Sequence, residues 1–223
     1  MQNKKSKVLV IALIVSLVAI ISIGSLAWFT AKDDVTNTIK LADDFDVDVY
    51  ETDKDGNLIK EGDETVGQTY TGIMPGQTIK KDPTVRNTGN HDEYVRVNVT
   101  LSNYDIWSAV VKPDEETGKV DLSTIFTGFD STAWKRYDAP VINETDKTVT
   151  YTFYLDEIVL TPNQAAALFT GVTIPGELSS EQAATMGGQF TIKVEAEAIQ
   201  VENLPEGVDT AYKAFALLET AAD

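Results

Sequence analysis

The chain has 223 residues, 35 Asp and Glu against 18 Lys and Arg, a net charge of −17, one histidine and no cysteine. That charge works against nonspecific binding to nucleic acid or to an anionic membrane surface, which carry the same sign. The lone histidine and absent cysteine exclude Cys-rich zinc sites, thiol catalysis and disulfide staples. With 43% apolar residues and 7 prolines, the chain is long enough to bury a core in one domain.

Lys4, Lys5 and Lys7 form a basic head; residues 8–29 carry no charge, and the first acid is Asp33. A basic head, an apolar run and small residues at a cut site are the layout of a secretory signal. Ser25 and Ala27 fall at the −3 and −1 positions if cleavage lies between Ala27 and Trp28. The competing reading is an uncleaved anchor, since this run could span about 30 Å of hydrocarbon. Gly24 and the Ser25/Ala27 pair favour cleavage. The expected organisation is a signal peptide over 1–27 and a single exported domain over 28–223. The membrane is then touched only through the uncleaved signal segment.

Beyond residue 30 the dominant period is two. Phe45, Val47 and Val49 alternate with Asp44, Asp46 and Asp48, and Asp55-Gly56 supplies a turn before residues 58–60. Weaker strands fit 77–81 and 84–87. Thr88-Gly89-Asn90 then turns the chain into Val95, Val97, Val99 and Leu101, which alternate with polar residues. Residues 104–111 fit a weak strand, and Val149, Tyr151, Phe153 and Leu155 a strong one. A weak strand over 168–174 precedes a helix over 181–186, with Ser179 or Ser180 as cap and Gly187-Gly188 as stop. Phe190, Ile192, Val194, Ala196 and Ala198 alternate next. The phase flips at Ile199 and Val201, which predicts a bulge or a change of partner. Val208, Ala211, Tyr212, Phe215 and Leu218 stand at helical spacing, either as a last helix docked on the domain or as a partner-binding helix. Antiparallel strands with one apolar face predict a mainly β fold, an antiparallel β-sandwich with short helices.

Chemistry is sparse. His91 lies in a polar loop without the second histidine of a zinc-protease motif, and no G-x-S-x-G is present. Asp53, Asp55 and Asn57, with Glu61 and Glu64, have calcium-loop spacing, but Gly56 stands at loop position four where an EF-hand needs six. A hairpin turn with solvated acids fits better. Neither catalytic residues nor a cofactor or metal site is expected.

Several segments resemble one family in order. Gly24-Ser25-Leu26-Ala27-Trp28-Phe29-Thr30, then Thr36-Asn37-Thr38, is similar to the processing region of proteins cut by the SipW-type signal peptidase. Met74-Pro75-Gly76-Gln77, Asp82-Pro83-Thr84-Val85-Arg86-Asn87-Thr88-Gly89 and Tyr94-Val95-Arg96-Val97 resemble the central block of the TasA/camelysin family. Residues 168–175 and 192–200 resemble its C-terminal half. The resemblance implies a jelly-roll-like sandwich in a structural protein of the cell surface or biofilm matrix of a Gram-positive-type bacterium. The implied partners are a SipW-type signal peptidase and copies of itself or related fibre subunits. It also implies fibres in which the freed N-terminal segment adds as a strand to the next subunit. Residues 28–50, with Trp28, Phe29, Val35, Phe45, Val47 and Val49, are the candidate donor segment; the alternative is that they fold back as an ordinary first strand. A monomeric surface adhesin or ligand-binding β-sandwich, and a metalloprotease of camelysin type, are the other readings. The protease activity is not carried over, because the histidines it needs are missing. Cleavage after Ala27 removes three lysines and no acid, so −17 becomes −20. Salt or acid should then promote assembly.

Overall fold

The structure, a computed structural model, describes residues 30–34, 37–39, 46–53, 55–61, 64–65, 70–115 and 118–221. The expected signal over 1–27 lies outside them. The described chain is mainly β, with antiparallel sheets and three short helices. Its strands are β1 (Thr30–Asp34), β2 (Asn37–Ile39), β3 (Val47–Tyr50), β4 (Lys60–Glu61), β5 (Glu64–Thr65), β6 (Thr78–Lys80), β7 (Thr84–Asn87) and β8 (Glu93–Leu101). After helix α1 (Tyr104–Val110) come β9 (Phe126–Thr127), β10 (Trp134–Lys135), β11 (Val141–Asn143), β12 (Thr148–Leu155), β13 (Ala165–Ala167) and β14 (Gly171–Thr173). Helix α2 (Ser180–Thr185), β15 (Ile192–Gln200) and helix α3 (Ala211–Ala221) complete it.

The large sheet runs β10-β12-β8-β15-β1-β2, with β11 also on β12. Two three-stranded sheets, β13-β7-β3 and β6-β14-β9, and the short β4-β5 ladder make up the rest. The strict alternation of the long strands explains their place at the centre. Val95, Val97, Val99 and Leu101 of β8 point one way, with Val149, Tyr151 and Phe153 of β12 and Val194, Ala196 and Ala198 of β15 in register beside them. One continuous core joins these side chains to Val47, Val49, Val85, Ile79 and Val172 of the small sheets. The small side chains of Ala196 and Ala198 suit the close approach of β3 over β15. Gly171 serves the same end in β14: a Cβ there would meet the Ile79 carbonyl at 2.9 Å and Thr127 Oγ1 at 2.7 Å.

Two expectations are corrected. Residues 104–110 form a helix and not a strand. The Asn103 carbonyl accepts from the N–H groups of Ile106 and Trp107, and Trp107 and Val110 reach the core from one helix face. The phase flip at Ile199 marks neither a bulge nor a new partner. The β8–β15 register runs unbroken from Ile192↔Leu101 to Gln200↔Glu93. Ile199 instead faces the other side of the sheet, where a second core forms with Tyr94, Tyr154, Ala211, Ala214 and Phe215. The C-terminal stripe is therefore a docked helix. The cap of α2 is as the sequence reads: Ser179 accepts from the Gln182 N–H while the Gln182 side chain returns to the Ser179 N–H.

Candidate functional site

β15 is paired on both sides. On one it is bonded to β8 from Ile192 to Gln200; on the other it carries β1, from Thr30↔Ile199 to Asp34↔Glu195. β1 in turn pairs with β2 from Lys32↔Ile39 to Asp34↔Asn37. Among the described residues, β1 and β2 thus form the outer margin of the large sheet on this side. Among the described residues, β15 positions 192–194 extend beyond the reach of β1.

The outer face of the same strands is polar at one end and covered at the other. Arg96 of β8 donates from Nε and Nη2 to Glu197 of β15 at 3.0 and 2.8 Å, and from Nη1 to Glu219 of α3 at 2.7 Å. Tyr137 lies over Tyr212 with ring centroids 4.4 Å apart, and its hydroxyl donates to Asp156. That bond holds the Tyr137 hydroxyl up to about 12. Tyr154 donates to Asp138 at 2.9 Å; burial first, then that carboxylate, raises its pKa.

Of the residues read as signal and donor, Ser25, Ala27, Trp28, Phe29, Val35 and Phe45 lie outside the described residues. Val47 and Val49 are buried in β3, paired with β7 of the same chain. The Asn87-Thr88-Gly89 motif ties β3 to its surroundings. The Asp46 carbonyl accepts from the N–H groups of Thr88 and Gly89, and the buried Asn87 amide donates to the carbonyls of His91 and Leu160. His91 itself sits in the exposed loop, its Nδ1 3.4 Å from Glu202. The Asp53 carboxylate closes a hairpin turn, accepting from the N–H groups of Asp55 at 2.8 Å and Asn57 at 2.9 Å. Among the described residues no three His, Asp or Glu side chains converge on a point where a metal would sit.

Two buried charged features escaped the sequence reading. Lys81 and Glu51 form an ion pair with each side chain 8% exposed. Glu93 is fully buried, and neither carboxylate oxygen has a hydrogen-bond partner among the described residues. Burial raises its pKa to about 8; the nearby Asp46 N–H opposes that shift in part, and the Asp46 carboxylate adds to it. A signal for all three was present. Glu51 is in phase with Val47 and Val49, Lys81 with Pro83 and Val85, and Glu93 with Val95 and Val97. A charged residue in phase with a buried stripe faces the core.

The fold and this edge define a mainly β domain whose candidate site is a sheet margin. No family model matches the sequence, and no characterised protein or solved structure is significantly similar to it. Among the described residues no helix is long and apolar enough to cross a membrane; the apolar run at 8–29 lies outside them.

Proposed function

We infer that this chain is an exported structural subunit of a cell surface or matrix, a jelly-roll-like sandwich that assembles through its N-terminal segment. Removal of residues 1–27 by a SipW-type peptidase leaves Trp28 at the start, two residues before β1. One core shared by the large sheet and both three-stranded sheets supports the sandwich reading. The observation that carries assembly is the occupant of the β15 flank: it is the N-terminal segment itself, held by backbone pairing. A second copy presents the same flank, so the segment from one subunit fits the next with the same register.

The sequence of β1 makes it easy to exchange. Thr-Ala-Lys-Asp-Asp is poor in strand formers, and the register sets Asp34 opposite Glu195. Exchange ends before Val47, because β3 belongs to the core. The test is electron microscopy of exported protein whose N-terminal mass has been measured. Fibres from a chain starting at Trp28 are expected; a chain with that start that stays monomeric at every concentration makes this a monomeric adhesin instead.

A further inference from the structure

Glu51 directly follows β3 and Lys81 lies in the short connection from β6 to β7, beside the end at which β3 and β7 pair through Tyr50↔Thr84. Both are buried, and the buried Val49 and Pro83 stand two residues away from them along the chain. A buried ion pair is expensive to desolvate, and among the described residues the second Glu51 oxygen, Oε2, has no hydrogen-bond partner to offset that cost. The two groups hold the atoms of one amide plus one water. Held in contact by the folded backbone, they react at a high effective concentration, and a neutral amide removes the buried charges.

We propose that Lys81 and Glu51 become joined by an intramolecular isopeptide bond. A proton passes from the Lys81 ammonium to the Glu51 carboxylate, leaving a neutral amine and a neutral acid. The Nζ lone pair attacks Glu51 Cδ, the Nζ–Cδ bond forms and a Cδ–O bond breaks. That oxygen leaves as water with two of the three ammonium protons, and the third stays on the amide nitrogen. No oxidant, reductant or further reactant enters the balance. The bond closes the chain from 51 to 81 in a protein with no cysteine to staple it. It is a property of the folded subunit and does not depend on assembly.

The test is the denatured intact mass of purified folded protein whose N-terminus has been sequenced, followed by peptide mapping. The expected result is a chain lighter by one water, with a branched peptide pair linking Glu51 to Lys81. Lys81→Arg and Glu51→Ala should both restore the full mass and lower the melting temperature. A wild-type chain of full mass, with Glu51 and Lys81 recovered in separate unmodified peptides, overturns the proposal even where neither variant folds. A missing water that persists in Lys81→Arg, or maps elsewhere, overturns it too.

Discussion

Arg96 grips a single oxygen of Glu197 from two of its nitrogens, across one rung of the β8–β15 ladder, while its guanidinium lies 4.4 Å from the centre of the Phe215 ring. One side chain thus links two central strands to the C-terminal helix. The two partners are 15% and 11% exposed, so removing one leaves the other poorly solvated. Arg96→Ala should lose about 3 kcal/mol in urea unfolding, and Arg96→Lys should recover only part, because an ammonium cannot reproduce the fork or the ring contact.

Phe215 fills the second core with Tyr94, Tyr154 and Ile199. Phe215→Ala should cost about 3–5 kcal/mol. Amide exchange should rise first across 211–221, with the inner core strands still protected. Uniform loss of protection in all strands would mean that the two cores are one cooperative unit.

Glu93 ties stability to pH. Its folded pKa, about 8, lies above the ordinary 4.5, so the folded state holds a proton that the unfolded state has released between those values. Its contribution is fully present below pH 4.5 and is lost as pH rises to about 8. Glu93→Gln keeps a neutral group there, so its stability relative to wild type should grow across that window by up to about 1.4 kcal/mol per pH unit. Urea melts at several pH values check this; a constant difference would refute it.

Ala31 and Ala198 are register partners between β1 and β15. With cysteines at both positions in this cysteine-free chain, oxidation should lock β1 onto its own subunit. Fibres should then fail to form under oxidising conditions and return with reductant. In fibres grown reduced and oxidised afterwards, the disulfide should join neighbouring chains.

With the proposed cleavage after Ala27, each subunit would carry −20, and copies would repel one another. Raising salt from 0.1 to 1 M shortens the screening length from about 10 Å to about 3 Å and should speed fibre growth. Light scattering follows this directly, and growth indifferent to ionic strength would remove repulsion as the barrier.

The central strands were legible because alternation along β8, β12 and β15 repeats a single physical fact, one face buried and one in water. The α2 cap was legible because its hydrogen bonds close within four residues. Residues 104–110 were not, since Tyr104, Ile106 and Val110 fit a period of two while Tyr104, Trp107, Val110 and Val111 also fit a helical one. Their state follows from where Trp107 finds a pocket against Phe190, rings 4.8 Å apart. The flip at Ile199 was visible, but its meaning needed the helix that covers the far face. The candidate site divides the same way. Sequence alone set an export-like N-terminus, an acidic chain and strands with the right composition, because these are properties of neighbours along the chain. Only the tertiary structure set β1 against β15 and paired the Glu51 carboxylate with the Lys81 ammonium, thirty residues apart, because pairing between distant segments is decided by which faces must be buried together.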